Sequence, residues 1–138
     1  MAKFGSEEWA GALADEINGS SEYRNAGAAW GRDFNGNMLF RFDADEQLAE
    51  SISLLVRLSG GECQGAEFVA DAAHSEAGFT LRAPFTLWQE ILTRKTMAAT
   101  AILTGKMSVA GEKMTLLKHA GANRALIHCT SSVETDWE

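Results

Sequence analysis

The chain has 138 residues, 46% of them hydrophobic and 22% charged, with a net charge of −7 and a pI of about 4.9. That length fits one domain with a real core, and the composition argues against disorder. The acidic balance repels phosphate backbones and disfavours broad adhesion to anionic membranes, so nucleic acid is not an expected partner.

The chain starts with leading helices over residues 1–30. Ser6 before Glu7 and Glu8 is a helix start, with a hydroxyl to cap free amides and acids facing the positive end of the dipole. Trp9, Leu13 and Ile17 repeat every four residues and form one apolar stripe. Asn18-Gly19-Ser20 stops this helix, and Ser20 or Ser21 caps a second one with Tyr23, Ala26 or Gly27, and Trp30 on one side. These aromatic positions are expected to pack on a sheet.

From Asp33 the period becomes two, and residues 33–83 read as a four-strand antiparallel meander. Met38, Phe40 and Phe42 oppose Leu39, Arg41 and Asp43. After the polar turn Asp43–Glu46, residues Ile52, Leu54, Val56 and Leu58 alternate with Ser53, Leu55 and Arg57. Gly60-Gly61 is a turn that needs positive φ. The third strand has Ala66, Phe68, Ala70 and Ala72 on one face and Glu67, Val69 and Asp71 on the other. A turn over Ser75–Gly78 leads to Phe79, Leu81 and Ala83.

Residues 84–130 read as helix, strand, helix. Pro84 can open a helix with Leu87, Ile91 and Leu92 on its apolar side and Trp88 close to it. Met97 to Leu103 is a short apolar piece. Met107 and Val109 alternate with Lys106, Ser108 and Ala110 as a fifth strand. After Gly111 one last helix carries Met114, Leu117, Ala120 or Gly121, and Leu126. The polar tail, 131–138, is expected to fray unless Val133 and Trp137 dock. Separate runs of strand and helix indicate an α+β fold with a five-stranded, largely antiparallel sheet covered by helices.

Ala101-Ile102-Leu103-Thr104-Gly105-Lys106-Met107-Ser108-Val109-Ala110-Gly111-Glu112-Lys113-Met114 resembles a signature stretch of the sterol carrier protein type 2 family. There a short helix runs into Gly-Lys, an alternating strand, Gly-Asp/Asn and a final amphipathic helix. Gly105-Lys106, Val109 and Gly111 match, and Glu112 stands where the family often has Asp or Asn. The element order and leading helices are similar to those of short prokaryotic single-domain members. The resemblance implies a sterol-carrier-protein-like sheet and an internal hydrophobic tunnel under its helices. It implies non-catalytic lipid binding or lipid transport, with a fatty acid, fatty acyl-CoA or similar apolar molecule as ligand and no cofactor. An accessory protein presenting an isoprenoid or ring intermediate to a partner biosynthetic enzyme is the alternative, and a small pocket enzyme a second one.

The residues point to the same place. The sheet face of Phe40, Phe42, Leu54, Val56, Phe68, Phe79 and Leu81 must be covered, and helices at Leu87–Leu92 and Met114–Leu117 are the available covers. Thioethers at Met97, Met107 and Met114 suit an adaptable wall. The expected tunnel lining is therefore that face together with Leu87, Ile91, Ile102, Met107, Val109, Met114 and Leu117. A closed core with these residues as ordinary filling is the competing reading.

Other chemistry is weakly signalled. His119 and His128 are nine residues apart, not a metal-pair spacing, and His74 stands alone. Cys129 follows His128, and neighbours on a helix do not face each other. Asp43 and Asp45 read as solvated turn acids. GxxxxGK[ST] is absent, since Met107 follows Lys106. Lys106 reads as a solvated strand lysine, with a headgroup contact at a tunnel mouth as the alternative. Cys63 and Cys129 read as free thiols in a reducing compartment, with one bridge as the alternative. With no signal peptide, apolar span or address in the sequence, the expected location is cytoplasmic. A monomer or weak dimer with transient membrane or enzyme contact is expected.

Overall fold

The structure is a computed structural model and describes residues 2–70 and 76–137. A two-residue strand β1 (Ala2–Lys3) precedes α1 (Glu7–Asn18) and α2 (Ser21–Ala26). Ser6 Oγ accepts the Trp9 amide at 3.1 Å and Ser20 Oγ accepts the Tyr23 amide at 3.0 Å, so both helices begin on hydroxyl caps. Four strands follow: β2 (Met38–Asp43), β3 (Ile52–Ser59), β4 (Glu62–Val69) and β5 (Phe79–Pro84). Then come α3 (Phe85–Leu92), α4 (Ala98–Leu103), β6 (Ser108–Ala110), α5 (Lys113–Lys118), α6 (Ala120–Ser132) and β7 (Thr135–Asp136).

The main sheet has the order β4-β3-β2-β5-β6. β4, β3 and β2 are a true antiparallel meander, and Gly60-Gly61 closes its hairpin with φ of +63° and +86°. The expected fourth meander strand is instead a crossover. β5 skips β4 and lies parallel to β2, pairing Met38 with Phe79 and Phe40 with Leu81. β4 starts at Glu62, earlier than its apolar alternation suggests, and Ala70 falls beyond its end; Asp71, Ala72, His74 and Ser75 lie outside the described residues. β6 adds antiparallel to β5, so the sheet is mixed but largely antiparallel.

Register puts the expected apolar face together. Phe40 pairs with Leu54 and Leu81, Leu54 with Phe68, Met38 with Val56, and Leu81 with Val109. Phe40, Phe42, Leu54 and Val56 are wholly buried. Burying one such side chain fully contributes about 1.5–3 kcal/mol, so this face anchors the fold. α1 lies over β4, and α6 packs against α1, α2, α3 and α5. The last helix is thus two: His119, at φ −110° and ψ 35°, breaks it between α5 and α6.

The tail docks. β7 pairs parallel with β1, Val133 is buried, and the Trp137 ring stacks on Phe4 at 5.2 Å. Trp9 Nε1 donates to Thr135 Oγ1 at 2.9 Å. The buried indoles of Trp30 and Trp88 likewise donate, to the carbonyls of Gly36 and Arg41, each at 2.8 Å. Each large ring therefore adds apolar area without leaving a buried donor unpaired.

Candidate functional site

The apolar face of the sheet is covered by side chains from α3, from the segment after α2 and from the segment after β1. α3 lays Trp88 over β2, with ring centroids 5.1 Å from Phe40 and 4.8 Å from Phe42. Trp30 covers Phe79 at 5.0 Å. Phe4 reaches Phe42 at 5.0 Å, Phe68 at 6.0 Å and Phe85 at 5.2 Å. Trp88 rather than Leu87 is the centre of the inward side of α3: Phe85, Trp88, Ile91 and Leu92 are buried, and Leu87 is half-buried. Asp45, in the turn after β2, caps the start of this helix. Its Oδ2 accepts the Thr86 amide at 2.7 Å and its Oδ1 the Gln47 amide at 2.9 Å. These N–H donors, Thr86 first, hold the Asp45 carboxyl below its ordinary range.

The fourteen expected lining residues fall into three groups. Phe40, Phe42, Leu54, Val56, Phe79, Leu81, Ile91 and Met107 are buried. Phe68, Leu87 and Val109 are half-buried and pack against the same core. Ile102, Met114 and Leu117 are exposed, at 39%, 69% and 69%. The Met114–Leu117 helix is therefore not a cover for the sheet in this structure, and α5 buries none of its residues. α1 lies over β4 with Trp9, Leu13 and Ile17 buried, and α6 packs on the helices, burying Ala122, Ala125, Leu126 and Cys129. The inversion has a local cause. Three apolar residues, Met114, Leu116 and Leu117, share one short helix; Leu116 turns partly inward, which leaves Met114 and Leu117 outside.

Between these extremes the burial of apolar side chains is graded. Val109 sits on the edge strand beside buried Leu81. Buried Met107 and Ala101 hold α4 to the body, while Ile102 and Leu103 leave it. The amides of Lys106 and Met107 both donate to the Ala101 carbonyl, at 2.9 and 3.1 Å. At the far end of β6, Gly111 has φ +117°, and a Cβ there would stand 2.6 Å from the Phe79 ring. Only glycine lets the edge strand close down on the core at this point.

Cys63 and Cys129 are buried free thiols, and burial raises both above the ordinary range. Tyr23 is raised by burial too, with Cys63 and Cys129 adding to the effect. His128 Nδ1 lies 3.2 Å from Glu22 Oε1 on the surface. The His119 ring packs edge-on to Trp30 at 5.4 Å. Asp43 is paired with Arg82 at 2.8 Å and Arg41 at 3.5 Å. A cleft lined by Asn18, Arg24, Gly61, Glu62 and Cys63 is polar and open; Asn18 spans it by exchanging hydrogen bonds with the Cys63 backbone, each 2.9 Å. Among the described residues no group of three or more His, Cys, Asp or Glu could hold a metal. Nor is any helix among them long and apolar enough to cross a membrane.

The fold is similar to that of several solved structures. It matches the crystal structure of sterol carrier protein 2 with a TM-score of 0.82 at 24% identity, over 96% of this chain and 100% of that one. The solution structure of a Thermus thermophilus protein, described as possibly a sterol carrier protein, gives a TM-score of 0.81 at 24% identity, over 99% and 93%. The ubiquinone synthesis protein UbiJ gives 0.52 at 16% identity, over 88% and 86%. No relative was matched among curated proteins. Residues 32–122, which include the sheet, α3, α4, β6 and α5, match the profile of the SCP-2 sterol transfer family. On that match over most of its length, the chain belongs to the SCP-2 sterol transfer family, whose domain is one of lipid binding or transfer.

Proposed function

We propose that this protein binds a long-chain apolar ligand, a fatty acid, fatty acyl-CoA or similar molecule, in an internal tunnel between the sheet and its helices, without chemistry. The observation that carries this reading is the gradation of burial among the apolar side chains of β5, α3, α4, β6 and α5. Apolar side chains run from buried Leu81, Ile91 and Met107, through half-buried Leu87, Val109 and Leu116, to exposed Ile102, Met114 and Leu117. The inner residues would contact the hydrocarbon, and α4 and α5 would close over its outer part. Each buried methylene contributes about 0.8 kcal/mol, so an acyl chain reaches micromolar affinity with few polar contacts. Low headgroup selectivity follows. The thiols serve packing: burial raises both, which opposes a nucleophilic role. The free thiols also suit a reducing, cytoplasmic setting.

The test is titration of delipidated protein with a fluorescent fatty acid and with acyl-CoA. Saturable binding is expected, and none below about 100 μM would end this reading. Solvent extraction of the purified protein and mass spectrometry would identify the native ligand.

A second reading has one support, the fold shared with a ubiquinone synthesis protein. The same space would hold an isoprenoid or ring intermediate for a partner enzyme. A quinone-like extract together with a co-purified enzyme favours it, and a monomer carrying fatty acid favours the first.

A further inference from the structure

α5 has six residues and buries none of them; Thr115 and Leu116 are half-buried and the other four are exposed. A helix this short is marginal alone, so what holds it in place lies largely at its ends. Both ends rest on one group of rings. At the first, Gly111 sits so close to Phe79 that a Cβ would stand 2.6 Å from the ring. At the second, the half-buried His119 ring packs edge-on to Trp30 at 5.4 Å and tilted against Phe34 at 5.7 Å. Trp30 and Phe34 in turn lie 5.0 and 5.9 Å from Phe79. α5 is therefore a strap pinned at both ends to the Trp30, Phe34 and Phe79 cluster.

The two pins differ in kind. Ala110 pairs with Thr80, so sheet register fixes the backbone just before Gly111. Gly111 itself has φ +117° and no side chain, which makes it a point about which the following helix can turn. His119 lies outside the sheet and ends α5 at φ −110° and ψ 35°. Beneath it Trp30 is buried and anchored by its indole N–H on the Gly36 carbonyl. Phe34 and His119 are the half-buried, outer members of the cluster. The first pin is a swivel, and the second is a latch made of ring contacts.

With the latch shut, Leu116 packs on the core while Met114 and Leu117 are in water. Around the helix, Leu116 stands about 100° from Leu117 and about 160° from Met114. Neither exposed side chain can turn onto a ligand unless α5 rolls, and a roll about Gly111 carries His119 off the rings. We infer that α5 is the gate of the proposed ligand space and that His119 is its latch. His119 is thus a positioning residue, whose contact with Trp30 and Phe34 holds the empty protein in the outward-facing roll. This inference rests on the proposed carrier function and adds to it the contact that must break before the ligand is wrapped. A contact made only in the empty form lowers affinity, because it reduces the fraction of molecules competent to bind. Two ring contacts of this kind together shift such an equilibrium about tenfold.

The test is stopped-flow titration of the delipidated full chain with a fluorescent fatty acid. His119→Ala should associate about tenfold faster and bind about tenfold more tightly, with the dissociation rate unchanged. Phe34→Ala removes the other side of the contact and should do the same. His119→Phe keeps a ring in place and should match the parent. A merely structural role predicts the opposite sign, weaker binding in both alanine variants. Hydrogen exchange without ligand gives a second reading. The amides of Leu116 and His119 donate to the Glu112 and Thr115 carbonyls. They should exchange about tenfold faster in the alanine variants, while α1 exchanges at the parent rate. Affinity that is unchanged or weakened in those variants overturns the latch, as does unchanged exchange in α5. So does a His119→Phe variant that behaves like His119→Ala. Alanine variants that both fail to fold would assign the two rings to the core and overturn it too. Absence of saturable binding in the parent ends the carrier reading and the gate with it. Binding in the parent with the same rates in every variant ends the gate alone.

Discussion

Around the chain termini, the large apolar side chains are fitted to partners; along the β6 edge, five of them are exposed. The first region brings together β1, α1, α6 and β7, and Phe4 alone meets the rings of Trp9, Phe42, Phe68, Phe85 and Trp137. Its helices have twelve and thirteen residues, and α1 has a hydroxyl cap. The second region hangs two six-residue helices on a three-residue strand. α4 has no side-chain cap, and α5 has only Glu112, whose carboxylate accepts the Met114 amide at 3.1 Å. Helices this short are marginal alone, so α4 and α5 depend on a few inward residues, chiefly Ala101 and Leu116. The difference teaches that tightly paired and exposed apolar side chains are separated within the fold. The paired elements β1, α1, α6 and β7 form a clasp, and the edge leaves apolar surface exposed.

The largest effect should come from the closed part. Trp88→Ala removes a wholly buried ring that lies on Phe40 and Phe42 and bonds the Arg41 carbonyl. The expected loss is about 3–5 kcal/mol, much of the total for a domain of this size. Urea denaturation measures it. A loss under about 1 kcal/mol would mean that the space beneath α3 is already loose.

Next is the tail. Trp137→Ala removes a half-buried ring stacked on Phe4 and should cost about 2 kcal/mol. The same denaturation experiment reads it. If stability does not move, β7 is an ornament on the clasp rather than part of it.

Much of this arrangement was legible in the residues. Alternation in β2, β3 and β5 gave the buried face correctly, because a one-residue slip would send Phe40 and Phe42 to the opposite side. Gly60-Gly61 announced its hairpin, Ser6 the first helix and the Ser20-Ser21 pair the second, with Ser20 proving to be the cap. The partner of β5 was not legible, since alternation shows which face is buried and not which strand lies alongside. β1 and β7 have two residues each, too few for any period. The exposure of Met114 and Leu117 was hidden for another reason. A short helix with apolar residues on more than one side has no unique inward direction, and only the packing of Leu116 decides it. The lysines at 113 and 118 were the available signal that this side faces outward.

Asp45 tests how α3 is joined to the sheet side of the molecule, and its effect should be smaller. Its carboxyl is held low in the folded protein by the Thr86 and Gln47 amides. A lowered folded-state value means stabilisation that is present above the unfolded value of about 3.9 and lost as pH falls through the folded one. Asp45→Ala should therefore be less stable than the parent at neutral pH, and the gap should close in acid. Thermal melting of both proteins across that range measures it. A gap that stays constant in acid would assign the role of Asp45 to shape rather than charge.

The smallest stability effect is expected at the open edge, where Met114→Ala removes a side chain that is mostly in water. Stability should stay within about 0.5 kcal/mol of the parent, as for surface substitutions in general. Affinity for a fluorescent fatty acid should nevertheless fall several-fold, because the proposed ligand would gather this thioether into its wall when α5 closes. The two measurements must be read together. An unchanged melting temperature with weakened binding separates the edge from the clasp, as the contrast between them requires. Unchanged binding would leave α5 outside the ligand site and restrict any wall to residues already inside, such as Met107 and Ile91. A large loss of stability would contradict the exposure of Met114 itself and place α5 among the core helices.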